Sequence, residues 1–93
     1  MIFERHPSFF RSLKAVRQPK RLDAIEKALA TLIGCFDNRT PPPAGLGLKQ
    51  LKANIWEVRS TLRDRIIFSW IKNSIRFLLV GSHDEIRRFL KNR

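Results

Sequence analysis

Residues 82–85 read Ser-His-Asp-Glu and stand between the apolar run 77–80 and a basic amphipathic segment. A histidine at such a junction can trade a proton near neutral pH. The start of a helix also presents free backbone amides, which attract anions. Upstream, a Trp-Glu-Val-Arg stretch carries Glu57 and Arg59, and Arg65 opens Arg-Ile-Ile-Phe-Ser-Trp. Arg63 lies between them, and Lys49 and Lys52 precede them. Arg59, Arg63, Arg65, Lys49 and Lys52 are five cations near one sheet end, a composition suited to cradling phosphate; arginine can hold a phosphate bidentately. The chemistry offered is proton transfer beside a phosphate group.

Each feature also has a plain structural reading. Ser82 and Glu85 fit S-x-x-E, a capping box in which the two side chains satisfy each other's backbone amides. That accounts for both without a function and leaves His83 as a surface residue in a turn. Arg59, Arg65, Glu57 and Ser69 share one strand face, and the polar face of a one-sided antiparallel sheet is ordinarily solvated. No metal-ligand pattern is present: His6 and His83 are far apart in sequence and there is no Cys/His cluster.

Three kinds of element must position these residues. Met1–Arg5 is a short candidate strand. Pro7 suits the first turn of a helix whose apolar face is Phe9, Phe10, Leu13 and Val16. The pattern breaks at Pro19 and resumes with Leu22, Ile25, Leu29, Leu32, Ile33 and Phe36, which predicts a helical hairpin. The segment 37–47, with three successive prolines and two glycines, is the main loop. Beyond it the period becomes two, with Trp56 and Val58 on one face and Ile66, Phe68 and Trp70 on the face that pairs with them. The stretch 74–82 is apolar on both faces, as an inner strand would be. Short links, 60–64 and 71–74, predict antiparallel hairpins. Ile86, Phe89 and Leu90 then form the stripe of a short last helix. The expectation is a single α+β domain over 1–93, with an N-terminal helical hairpin packed on a small antiparallel sheet of three to four strands and a short C-terminal helix.

The chain has 19 Lys and Arg against 8 Asp and Glu, a formal net charge of +11. Such an excess repels itself and calls for a polyanion, an anionic surface or an acidic partner. Residues 44–93 hold 11 of the basic and 4 of the acidic residues. Cys35 is the only cysteine, which excludes an intrachain disulfide and fits a reducing compartment; its apolar neighbours suit a packed thiol. No apolar run approaches a membrane span, and the N-terminus lacks a signal-peptide core. A soluble, cytoplasmic protein with no membrane partner is expected.

The stretch GLGLKQLKANIWEVRSTLRDRIIFSW, followed by RFLLVGSHDEIRRFLK, resembles the RelE/ParE superfamily of type II toxins. The likeness lies in the Gly/Leu/Lys-rich lead-in, the Trp-Glu-x-Arg strand and the basic residue opening the next strand. A valine-containing strand then ends in a Gly-x-His turn before a short basic helix. The helical hairpin before it, with Lys-Arg-Leu at its second helix, agrees. The resemblance implies a four-stranded antiparallel sheet and an acidic cognate antitoxin. It also implies one of two activities: ribosome-dependent cleavage of mRNA, with rRNA contacts, in RelE-like members, or gyrase inhibition without nuclease chemistry in ParE-like members. Arg65 falls where RelE-like toxins place an active-site arginine, and His83 where they place another catalytic basic residue. Lys49, Lys52 and Arg59 fall among residues that hold RNA, with Arg63 beside them.

RNA cleavage through the 2′-hydroxyl needs a base, an acid and cations for the charge on phosphorus, but no metal and no small-molecule cofactor. Arg65 is assigned to that charge. His83 is the best proton-transfer candidate because Lys and Arg titrate too high. Glu57 is the second, as a weak base among arginines or as the salt-bridge partner that orients Arg59 or Arg65. The chain departs from the family in having no tyrosine; Phe89 stands near that place and can stack a base but cannot move a proton. A basic nucleic-acid-binding module remains a further alternative. Loss of Arg93, the matching control, is expected to matter less for growth inhibition than loss of Arg65.

Overall fold

The computed structural model describes residues 1–92; Arg93 lies outside the described residues. Strand β1 (Ile2–Arg5) leads into helix α1 (Pro7–Lys14) and helix α2 (Pro19–Asn38). A 3-10 turn, Ala44–Leu46, precedes β2 (Lys49–Gln50), β3 (Ile55–Arg59), β4 (Arg65–Ile71), β5 (Ser74–Gly81) and helix α3 (His83–Lys91). Both N-terminal helices open on a proline in the first turn, where the missing amide is no loss.

The sheet has five strands in the order β1-β5-β4-β3-β2. This corrects the expected three to four antiparallel strands in two respects. β2 is a two-residue edge strand with both residues exposed, too short to show a period. β1 joins the other edge in parallel to β5, so the sheet is mixed. Alternation in a sequence marks a strand but carries no information on its direction. β5 lies between β1 and β4, which is why its residues are apolar on both faces.

One face of the sheet packs on the helical hairpin. Phe9, Ile25, Leu29 and Leu32 meet Val58, Ile66, Phe68 and Phe77 there, with Trp56 and Trp70 at the margin. The other face is not left open, as the strand pattern alone suggested. Helix α3 folds back over it, and Ile55, Ile67, Leu78 and Ile86 form a second apolar cluster. Ile67, which alternates onto the same face as Arg65 and Ser69, is fully buried by this packing.

A β-bulge joins the two clusters. Phe68 pairs with Phe77, but Ile67 pairs with Leu79, so Leu78 is an extra residue on β5. The Leu78 carbonyl accepts a hydrogen bond from Ser8 Oγ at 2.6 Å. The Val80 amide donates to Ser12 Oγ at 3.0 Å. Two serines of α1 thus satisfy backbone groups that would otherwise be buried without partners. Ser8 is itself held by His6, whose Nδ1 lies 2.8 Å from its hydroxyl and caps α1.

Candidate functional site

The site begins at the end of the β3–β4 hairpin. The register places Arg59 directly opposite Arg65, and Arg65 opposite Gly81. Like charges facing each other across strands are unfavourable. Glu57 relieves the conflict: Arg65 Nε donates to Glu57 Oε2 at 3.2 Å, with side-chain exposures of 16% and 7%. Lys49 stands opposite Glu57 on its other side. Among the described residues the Arg65 terminal nitrogens have no protein acceptor, and they remain for an anion.

Arg59 is held from beneath by the loop. Gly47 has φ of +59°, a conformation that favours glycine, and a Cβ there would lie 3.6 Å from Arg59 Cδ and Nε. At that distance a Cβ would make ordinary contact with the Arg59 stem, so it is the positive φ that calls for glycine here.

The hairpin end is pinned to α2. Arg21 Nε and Nη2 donate to the two oxygens of Asp64, both at 2.9 Å, and Asp64 is fully buried. This fork raises the Arg21 guanidinium above its ordinary value, chiefly through the hydrogen bond to Asp64. The turn is closed locally as well, since the Ser60 and Thr61 amides point to the Asp64 carbonyl. The residue following Asp64 is Arg65, so the clasp fixes the strand where the site starts.

The third wall is α3. Ser82 caps it in a complete capping box: Glu85 N donates to Ser82 Oγ at 3.3 Å, and Ser82 N donates to Glu85 Oε1 at 2.9 Å. The Ser82 amide is the main cause that holds the Glu85 carboxyl below its ordinary value, assisted by Arg63 and Arg88. Gly81 makes room for this box, because a Cβ there would come 3.2 Å from Glu85 Cβ and Oε1. His83 occupies the first helical position and is exposed.

These walls enclose a cleft of about 130 Å³. Lys49, Glu57, Arg59, Arg65, His83 and Arg87 line it, over a floor of Leu51, Ile86 and Leu90. Four cations and a histidine therefore face one carboxylate, and that carboxylate is already engaged by Arg65. The arrangement suits a bound phosphate beside a group that can exchange a proton.

A scan of the sequence against family models matches none, and a search of curated proteins gives no significant match. Solved structures do match. YafQ from E. coli superposes with a TM-score of 0.71 and 19% identity, covering 90% of this chain and 94% of its own. The E. coli DinJ–YafQ complex matches at 0.74 and 19%, with the same coverage. The RelB–RelE antitoxin–toxin complex from Methanococcus jannaschii matches at 0.65 and 19%, covering 96% and 98%. The chain shares its fold with the YafQ and RelE toxins of these solved structures.

Within this RelE-like fold, three residues expected at the site lie outside the cleft. Lys52 lines an adjoining groove, its Nζ 3.4 Å from the Leu90 carbonyl. Arg63 is exposed on the hairpin turn, 3.6 Å from Asp64. Phe89 packs against the second apolar cluster. Sequence reasoning missed Arg87, although it lies four residues after His83 and so on the same helical face. It also missed the Arg21–Asp64 clasp, which joins residues 43 apart and leaves no local signal. Among the described residues no three His, Cys, Asp or Glu side chains are grouped to hold a metal ion, and no helix is long and apolar enough to cross a membrane.

Proposed function

We propose that this chain is the toxin of a type II toxin–antitoxin pair and acts as a metal-independent, ribosome-dependent endoribonuclease on mRNA. The observation that carries this reading is the cleft that collects Lys49, Glu57, Arg59, Arg65 and His83 from three separate parts of the sequence. Two solved structures of the same fold, DinJ–YafQ and RelB–RelE, are complexes of a toxin with an antitoxin, which supports an antitoxin here.

In the proposed step the scissile phosphate lies on Arg65, with Arg59 and Lys49 holding the flanking backbone. His83 takes the proton of the adjacent 2′-hydroxyl. The 2′-oxygen forms its bond to phosphorus as the bond to the 5′-oxygen breaks. The leaving oxygen is protonated by the imidazolium just formed or by water. The products are a 2′,3′-cyclic phosphate and a 5′-hydroxyl. Arg65 stabilises the charge that grows on the phosphate oxygens, where fixed cations are most effective. Glu57 keeps Arg65 in place; a carboxylate that accepts a hydrogen bond from an arginine is a poor base.

In-vitro translation with primer extension tests this. The expected result is cleavage at codon-related positions, dependent on ribosomes and abolished by Arg65→Ala. Intact mRNA with gyrase trapped on DNA would overturn it in favour of a ParE-like inhibitor. Intact mRNA with neither effect would leave a basic nucleic-acid-binding module.

A further inference from the structure

The outer side of α3 forms a second concavity of about 550 Å³, lined by Lys52, Asp84, Arg87, Arg88, Leu90 and Lys91. Four cations here face one carboxylate. Arg87 and Leu90 line both this groove and the cleft, so the two spaces share a wall. Arg87 and Lys91 stand four residues apart on the helix, a like-charged spacing that is unfavourable unless an anion lies between. Among the described residues neither has a carboxylate within ion-pair distance. Lys52, on the β2–β3 loop, reaches the Leu90 carbonyl at 3.4 Å, which places its ammonium beside the end of α3.

We propose that this groove is a second phosphate subsite, which holds the RNA backbone next to the phosphate bound in the cleft. This rests on the reading that the cleft takes RNA. Three features favour a nucleic-acid strand over an isolated anion. The cations of the groove adjoin those of the cleft, with Arg87 common to both. Arg87 and Arg88 each present a planar guanidinium fork, and two such forks in one groove suit successive phosphates of a backbone. Leu90 supplies an apolar surface on which a ribose or base edge can rest. Recognition is of the backbone and does not depend on sequence, and its strength falls with salt because each phosphate contact releases counterions.

The experiment uses uncleavable 2′-deoxy oligonucleotides of three and nine nucleotides and reads binding by fluorescence anisotropy over a salt series. Arg88→Ala/Lys91→Ala removes two cations of the groove and leaves the lining of the cleft intact, since neither residue lines it. Lys14→Ala/Lys20→Ala removes the same charge from the helical hairpin. For the wild type, the nonamer binds more tightly than the trimer and with a steeper salt slope. The groove variant loses roughly tenfold in nonamer affinity, and its slope falls by about 0.7 for each phosphate contact removed. Its trimer binding stays within about twofold, and the hairpin variant keeps both.

Equal losses in the two double variants would reduce the groove to net charge and overturn the proposal. So would unchanged nonamer binding in the groove variant, or no binding of either oligonucleotide to the wild type. An oligo-glutamate peptide that binds the wild type where the oligonucleotides do not, and is released by Arg88→Ala/Lys91→Ala, would assign the groove to an acidic protein. The two readings fail separately. Nonamer binding that depends on Arg88 and Lys91, with no cleavage on ribosomes, keeps the groove and removes the nuclease. Cleavage with a groove variant that binds like wild type does the reverse.

Discussion

His83 and Ser82 are neighbours with separable tasks, and substitution tells them apart. Ser82→Ala removes one half of the capping box and is expected to cost on the order of 1 kcal/mol in denaturant unfolding, while cleavage survives at low temperature. His83→Gln leaves the box intact and keeps a polar side chain at an exposed position. Its stability should match wild type, whereas cleavage falls roughly 10²–10⁴-fold, the usual share of a general acid or base. The pH–rate profiles of wild type and His83→Gln should also differ in shape. Full activity with an unchanged profile would return His83 to the turn. Arg65 behaves differently because it is not a freely exposed cation. Arg65→Ala strands the buried Glu57 carboxylate, which is expected to cost about 3 kcal/mol. Arg65→Ala/Glu57→Gln replaces the stranded charge with a neutral amide and should recover much of that stability. It should not recover cleavage, which remains at least about 10²-fold down. Recovery of both in the double variant would mean that Arg65 serves only the ion pair.

At the scale of elements, the clasp between α2 and the β3–β4 turn is the contact whose loss reaches furthest. Arg21→Ala leaves the fully buried Asp64 with only Arg63 at 3.6 Å, and the expected loss is about 3 kcal/mol. Cleavage should fall even where the variant is folded, because Arg65 follows Asp64 in the chain; wild-type cleavage by folded Arg21→Ala would show that the hairpin holds itself. The α3 cap carries a pH signature of known sign. The folded state holds Glu85 below its ordinary value, so its stabilisation is complete above the usual glutamate range and disappears as pH falls through the lowered value. Urea midpoints of wild type should exceed those of Glu85→Gln near neutrality and converge with them in acid. These contacts also mark what was legible beforehand. β3, the start of β4 and the start of α3 follow from alternation and from the S-x-x-E signal, because each is a local pattern. The parallel pairing of β1, the bulge at Leu78 and the return of α3 onto the sheet are set by contacts between distant segments. So the residues of the cleft were readable one by one, while Arg87 and the burial of Glu57 depended on where α3 and β4 come to rest.

For the whole molecule, the net charge of +11 governs how a partner arrives. The cleft and the adjoining groove gather Lys49, Lys52, Arg59, Arg65, Arg87, Arg88 and Lys91 around α3 and the end of the β3–β4 hairpin. An acidic antitoxin that masks this surface would be steered to it by the long-range field. Going from about 0.01 M to about 0.15 M salt shortens the screening length from roughly 30 Å to roughly 8 Å, so the field no longer reaches far beyond the surface. The association rate measured by stopped flow should therefore fall by an order of magnitude or more over that range, with a much smaller change in dissociation. Arg59→Ala and Arg87→Ala should each slow association at low salt and, if the partner covers them, also speed dissociation. Lys14→Ala/Lys20→Ala, on the helical hairpin, should affect the low-salt association rate alone. A complex whose dissociation responds to the hairpin variant and not to Arg59 or Arg87 would place the antitoxin on the opposite side of the sheet. Neutralisation would then have to act by a route other than covering the cleft.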